Sequence, residues 1–355
     1  MEAWTRHTPR RGRLGVALVV AAAIVASLGF TRDRPPPPAP DATALGVALG
    51  LFASDPGYDY GAMLTEIRDR GATDVLLVIN WTQRDVTSHV IAATPGHTPT
   101  TATVEATIVQ ARQLGLRVGL MPVVLPQERA AGQWRGRLAP AAGADAWFDS
   151  YRGHLLPLAE LAERHTVERL IVGSELCSLE RHEAQWRSLI AAVRGRFRGR
   201  VSYSANWDHF ADVPFWDAVD EIGVTGYFAL DPEDPRGSWE APLRALRALK
   251  ARVGRPLLLT EVGYAPHRDA ARRPWDEGLD EDGPPALEVQ AELYSAFCDA
   301  FAAEGLLDGF YFWNWFGYGG PRDRTYTPRG KPAAARMERC LGRPEWRRHP
   351  VEDER

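Results

Sequence analysis

Cysteine is scarce in this chain. Its 355 residues contain three, Cys177, Cys298 and Cys340, widely spaced and without a C-x-x-C pair. That spacing matches neither a disulfide framework nor a structural zinc site. A single Cys298–Cys340 bridge can be drawn, but nothing in the sequence supports it. An excess of positive charge is also missing. The formal net charge is −4, and residues 1–34 hold six arginines against two acids, which leaves 36 basic and 44 acidic residues, a net −8, in the remainder. A mildly acidic body gives no support to a nucleic-acid partner. No glycine-rich phosphate loop follows the first apolar run, which weakens a doubly wound nucleotide-binding sheet. That run also lacks an H-x-H pattern, and His182, His209 and His267 are scattered without ligand spacing. A metal-dependent barrel hydrolase would need such histidines at its strand ends. No metal and no nucleotide cofactor is expected.

The N-terminus is more telling. Arg6, Arg10, Arg11 and Arg13 precede an uncharged apolar run from Leu14 to Phe30. The run is about the minimum length that spans a bilayer, and the basic residues before it place the N-terminus on the cytoplasmic side. No A-x-A cleavage site precedes the polar chain, and no cysteine lies near for lipid attachment. Residues 14–30 therefore read as a transmembrane signal anchor or signal peptide behind a basic cytoplasmic segment, residues 1–13, with the rest exported. Pro35-Pro-Pro-Pro-Ala-Pro40, within a linker of residues 31–43, is a stiff extended spacer.

From Ala44 onward apolar runs alternate with amphipathic patterns. Eight runs have strand character: Ala44–Phe52, Asp74–Trp81, Arg117–Leu125, Arg169–Glu175, Val201–Trp207, Glu221–Phe228, Pro256–Glu261 and Gly309–Trp315. Continuous apolar runs suit parallel strands buried on both faces. Between them, Val104, Ile108 and Ala111, then Trp186, Leu189, Ile190 and Val193, then Leu243, Leu246 and Leu249 recur at helical spacing. Gly115 ends the first of these helices. Eight such units predict an α/β fold, a (β/α)8 TIM barrel over residues 44–335, followed by a charged tail over 336–355.

In such a barrel the active site lies at the C-terminal ends of the strands. The strand ends here carry Asp55, Asn80-Trp81, Gln127-Glu128-Arg129, Glu175, Asn206-Trp207-Asp208, Tyr227, Glu261 and Trp313-Asn314-Trp315. One rim thus gathers carboxylates, amides and indoles, a setting for a neutral polyhydroxyl ligand. Glu175 and Glu261 end the fourth and seventh strands, positions that face each other across the mouth. Lone carboxylates at the ends of buried runs need a partner or a task. Glycosidic hydrolysis with retention uses two carboxyls about 5–5.5 Å apart, one protonated to assist the leaving group and one ionised to attack the anomeric carbon. The alternative is a structural ion pair with a barrel-mouth arginine.

Leu125-Pro-Gln-Glu-Arg129, Gly132-Gln-Trp-Arg-Gly136, Trp147-Phe148 with Tyr151, Gly173-Ser-Glu-Leu176, Tyr203-Ser-Ala-Asn-Trp-Asp208, Thr260-Glu-Val-Gly-Tyr264 and Phe312-Trp-Asn-Trp315 together resemble glycoside hydrolase family 113, within the clan of retaining barrel glycosidases. The characterised activity of that family is endo-β-mannanase. The resemblance implies Glu175 as acid/base, Glu261 as nucleophile and Tyr227 as a hydrogen-bond donor to the nucleophile. Many clan members carry Asn just before the acid/base where this chain has Ser174; Asn206 or Asn80 then takes over the contact to the sugar 2-hydroxyl.

The remaining substrate-binding candidates are aromatic. Trp313 and Trp315 share strand parity, so both point to one side of the sheet, and one of them floors the sugar subsite. Trp207 accompanies Asn206, Trp81 accompanies Asn80, and Trp134 is a distal platform or a lid anchor in the loop after the third strand. The expected protein is a monomeric, exported retaining glycosidase with a carbohydrate substrate, a β-linked glycan such as β-mannan or an endogenous surface polysaccharide. The competing class is a non-catalytic glycan-binding barrel of the cell envelope.

Overall fold

The structure, a computed structural model, describes residues 42–277 and 282–346. The basic segment, the apolar run 14–30 and nearly all of the proline-rich linker lie outside the described residues. Among the described residues, no helix is long and apolar enough to cross a membrane.

Eight strands form the barrel: β1 (Ala44–Gly50), β2 (Asp74–Gln83), β3 (Arg117–Pro126), β4 (Arg169–Ser174), β5 (Arg200–Ala205), β6 (Glu221–Thr225), β7 (Leu257–Val262) and β8 (Gly309–Phe312). Every neighbouring pair is parallel. β1 pairs with both β2 and β8, so the sheet closes on itself. A two-residue segment, Ile91–Ala92, pairs antiparallel with the end of β2. Each strand coincides with one of the eight apolar runs, but β6 and β8 each stop three residues short of the sequence expectation.

Around the barrel lie α1 (Gly61–Asp69), α2 (Thr101–Gln113), α3 (Ala144–Arg164), α4 (Glu183–Arg194), α5 (Glu240–Val253), α6 (Leu287–Phe301) and α7 (Pro332–Leu341). The connection from β5 to β6 departs from the expected alternation. It holds only two single 3-10 turns, Phe210–Asp212 and Trp216–Ala218. Val213-Pro214 falls between them, and the residue before a proline is pushed out of the helical region. At the other end, α7 packs its buried Ala333, Met337, Cys340 and Leu341 into the core, and Trp346 is buried beyond it. The barrel therefore continues past residue 335, where a charged tail was expected.

Strand alternation divides the apolar residues into two layers. Ala48, Leu76, Val78, Met121, Val123, Ile171 and Tyr311 fill the barrel interior. The larger cluster, including Val75, Leu77 and Ile79 of β2, packs between sheet and helices. At the base of the barrel the interior turns ionic. Arg169 of β4 is buried and donates to Glu221 of β6 (Nε 3.1 Å, Nη2 3.3 Å), to Asp74 of β2 (3.3 Å) and to the Tyr311 hydroxyl of β8. One residue from each even-numbered strand thus makes a layer that branched apolar side chains usually fill. Gly119 of β3 makes room for it: a Cβ there would lie 2.9 Å from Arg169 Cγ.

Cys298 of α6 and Cys340 of α7 form a disulfide, with Cα atoms 5.7 Å apart and a sequence separation of 42. Closing a loop of that length stabilises a fold by about 3–4 kcal/mol in the chain-entropy account. Reduction, or Cys340→Ser, is expected to lower the melting temperature by several degrees in a calorimetric scan, and Cys298→Ser by the same amount. Equal melting of the oxidised and reduced protein would show that the bridge contributes nothing.

Candidate active site

The mouth of the barrel is built at irregularities in the strands. β4 pairs with β5 as Ile171↔Ser202 and Ser174↔Ser204, so one extra residue is accommodated before Ser174. Glu175 follows with φ of 53°, in the left-handed region that residues with a Cβ rarely adopt. Three contacts hold that geometry. The Glu175 amide donates to Ser204 O (2.8 Å), the Leu176 amide donates to the Tyr203 hydroxyl (3.1 Å), and that hydroxyl donates to Glu180 Oε1 (2.8 Å). Burial pushes the Glu180 carboxyl up to about 7, against the stabilising hydrogen bond from Tyr203.

Glu261 owes its direction to a bulge. β6 pairs with β7 as Val224↔Leu259 and then Thr225↔Glu261, so Thr260 is inserted without an opposing residue. A bulge re-aims the side chains after it. Thr260 bonds Ser204 across the interior (2.6 Å), and Glu261 reaches the centre of the mouth. There its Oε2 accepts from the Tyr227 hydroxyl (3.0 Å) and its Oε1 from Ser174 Oγ (3.3 Å). Ser174, which stands where the clan usually has Asn, thus touches the second glutamate. Glu261 is 1% exposed. Burial and then the neighbouring Glu175 raise its pKa to about 7, against Arg135, Tyr227 and Ser174, which favour the ionised form. The two glutamates therefore share one water-poor site and feel each other's charge.

Arg135 was not singled out by the sequence patterns and is the main addition. It opens a 3-10 turn, Arg135–Arg137, in the loop after β3, and its Nη2 hydrogen-bonds Glu175 Oε2 in an ion pair. Burial works against the guanidinium, but the charges of Glu175 and Glu261 outweigh it and raise its pKa. The signal in the sequence was the string Gln-Trp-Arg-Gly. The Trp134 ring lies on Gly136, where a Cβ would come within 2.4 Å of it, so glycine is required for this turn. Trp134 accordingly packs on its own loop.

The other expected residues divide by strand face. Asn80 shares parity with the interior residues Leu76 and Val78, and it stands half-buried at the mouth. Trp81, one residue on, points outward into the helix layer against Tyr151 and His154 of α3, so it is a packing residue and not part of the rim. Asn206 is nearly buried, donates to Asp208 Oδ1 (2.6 Å) and accepts from Thr225 Oγ1 (3.4 Å). Tyr227, Ala265 and Tyr326 form a small apolar patch on which Trp207 and Trp313 both pack. Trp315 is not in this group. β8 ends at Phe312, so the parity argument does not reach it. Trp315 lies buried in the helix-side core, donating to Glu66 of α1 (2.8 Å). An indole that was not expected, Trp275 in the β7–α6 loop, stacks on Trp207 at 5.2 Å and 11° and remains 48% exposed. Among the described residues, no group of three or more His, Cys, Asp or Glu is arranged to hold a metal ion.

A desolvated carboxyl pair with a tyrosine and a serine fixing one member, rimmed by indoles and amides, has the parts for acid–base and nucleophilic attack on a sugar acetal. Comparison with known proteins agrees. Residues 58–326 match the profile of Glycoside Hydrolase Family 113. Among solved structures, a GH113 β-mannanase from Alicyclobacillus acidocaldarius in complex with ManMIm is 28% identical, with a TM-score of 0.76 over 84% of this chain and 97% of that one. A GH113 β-1,4-mannanase complex is 25% identical, with a TM-score of 0.74 over 84% and 99%. A GH5_18 protein from Streptomyces cattleya with bound Manβ1-4GlcNAc, 15% identical with a TM-score of 0.58 over 83% and 79%, is alike in fold alone. No curated protein matches the chain significantly in sequence. The family match spans most of the chain and the whole of the site, so the chain belongs to glycoside hydrolase family 113 and is a glycoside hydrolase.

Proposed function

We propose that the chain hydrolyses a β-linked glycan, β-1,4-mannan first among them, with retention at the anomeric carbon. The observation that carries this reading is the placement of Glu261: buried, hydrogen-bonded by Tyr227 and Ser174, and close enough to Glu175 to raise its proton affinity. Glu261 attacks the anomeric carbon while Glu175 gives its proton to the departing glycosidic oxygen. Glu175 then takes a proton from the water that releases the sugar from Glu261, which restores both groups. Asn206, Asn80, Trp207 and Trp313 are the proposed sugar contacts, with Trp275 beside them. Similarity to two β-mannanases supports the substrate class.

A non-catalytic barrel would have both carboxylates tied to arginines. Only Glu175 is so paired; the hydrogen bonds of Glu261 come from neutral hydroxyls. The test is a panel of β-linked polysaccharides that includes mannan and native surface polysaccharides, with proton NMR of the first anomer released. β-Configured reducing ends from mannan are expected. An α-anomer would refute retention, products from surface polysaccharide alone would move the substrate, and no product from any member would favour a binding protein.

Export belongs to the same reading. The apolar run 14–30 behind four arginines motivates it, and the Cys298–Cys340 bridge suits an oxidising compartment. Fractionation of cells expressing the full chain is expected to find it in the envelope; recovery in the cytosol with free thiols would overturn this.

A further inference from the structure

Glu175 reaches the mouth from a turn that strand pairing alone does not hold. β4 ends at Ser174, Glu175 is left-handed, and a single helical turn, Cys177–Glu180, follows at once. Between them Leu176 is buried, and its amide donates to a side chain, the Tyr203 hydroxyl (3.1 Å). A buried amide left without an acceptor is destabilising. Here it would also adjoin a backbone conformation that only its surroundings can enforce.

Tyr203 can accept that bond in one orientation of its hydroxyl only. The phenol carries a single proton, and aiming it at the Leu176 amide would set two donors against each other. Glu180 removes the choice. Its Oε1 accepts from the hydroxyl at 2.8 Å, which leaves the oxygen lone pairs for Leu176. The ring is fully buried and cannot turn away, since Trp186 (5.1 Å) and Phe215 (5.2 Å) pack on it. Gly173, two residues before Glu175, permits this approach: a Cβ there would lie 2.8 Å from the Trp186 ring and 3.1 Å from the Tyr203 ring. Trp186 in turn donates to Leu179 O (3.0 Å), on the turn that carries Glu180.

Glu180 is otherwise hard to account for. It is buried, and among the described residues no arginine or lysine pairs with it. Buried carboxylates are normally paired. Cys177 on its own turn and Asp208, His209 and Asp212 in the β5–β6 connection face it, and His209 is bonded to Asp208 (2.6 Å). The hydrogen bond of Glu180 goes instead to the hydroxyl behind the Glu175 turn.

We propose that Glu180 and Tyr203 are positioning residues for proton transfer: through the Leu176 amide they hold the Glu175 turn so that its carboxyl meets the glycosidic oxygen. Glu261 is held by the bulge in its own strand and by Tyr227, so loosening this turn weakens acid assistance more than nucleophilic attack. The proposal rests on the glycosidase roles given above to the two glutamates.

The test uses the full chain with Glu180→Met, which removes the acceptor, Glu180→Gln, which keeps one, and Tyr203→Phe, which removes the hydroxyl but leaves the ring in its packing and so guards against a folding defect. The substrates are mannopentaose, whose leaving group needs a proton, and dinitrophenyl β-mannobioside, whose leaving group does not. On mannopentaose, kcat/KM is expected to fall by about 10- to 100-fold in Glu180→Met and Tyr203→Phe. On the aryl glycoside it is expected to stay within about threefold of wild type. Glu180→Gln is expected to stay near wild type on both. In deuterium exchange, the Leu176 amide is expected to exchange about tenfold faster or more in the methionine and phenylalanine variants and to remain protected in Glu180→Gln. Equal losses on the two substrates would overturn the proposal, since Glu180 would then support the fold alone. Wild-type kcat/KM on mannopentaose in Glu180→Met, or unchanged Leu176 exchange, would overturn it as well. The exchange measurement needs no turnover: a wild-type chain that cleaves neither substrate counts against the glycosidase reading, while the exchange still decides whether Glu180 and Tyr203 hold the turn.

Discussion

Glu261→Gln is expected to lower kcat on mannan by about 10⁴-fold or more, the scale on which loss of a nucleophile is felt, with sugar affinity retained. The amide can still accept from Tyr227, so the pocket keeps its shape. The same substitution is expected to stabilise the fold at alkaline pH. Glu261 titrates at about 7 in the folded protein against an ordinary 4.5. Between those values the fold holds a proton that the unfolded chain has released, so wild-type stability falls as pH rises through that window. Glutamine has no such transition. The variant should melt above wild type at pH 8 and converge with it near pH 4. Wild-type turnover in Glu261→Gln would place the nucleophile elsewhere, and equal melting at pH 8 would mean that this carboxyl is not desolvated.

The second large effect lies at the opposite end of the barrel. Arg169→Met is expected to cost about 3–5 kcal/mol in denaturant unfolding, because removal of one partner leaves buried carboxylates undercompensated. Asp74 keeps Arg117 (2.6 Å) and Glu221 keeps the more distant Arg200 (3.7 Å), but neither arginine lies inside the layer. Adding Glu221→Gln should recover part of the loss, since the buried charge leaves with its partner. A single-variant cost below about 1 kcal/mol would mean that water reaches the barrel base.

The strands were legible because strands buried on both faces need unbroken apolar runs, and all eight runs became strands. The fifth connection was not, because Pro214 replaces a helix with turns that carry no periodicity. The two glutamates were visible as charges ending apolar runs, but their orientation was not. It depends on the insertion of Thr260 and on the left-handed Glu175, neither of which leaves a compositional trace. Pleating explains the error at Trp81: adjacent residues on a strand face opposite ways, so Asn80 and Trp81 could not both reach the mouth. Trp315 failed for a related reason, since parity holds only while the strand continues. Arg135 stands 40 residues before Glu175 on another loop, and no local pattern links the two.

Barrel closure has a consequence for biogenesis. β1 is completed by Gly309–Phe312, close to the end of the described chain. Until that segment is available, β1 and β7 each present a bare row of amides and carbonyls to any passing strand. A nascent chain thus carries two adhesive edges until this segment is made, and the last barrel strand is the piece that removes both at once. Truncations ending before Gly309 should leave insoluble protein rather than a smaller soluble domain.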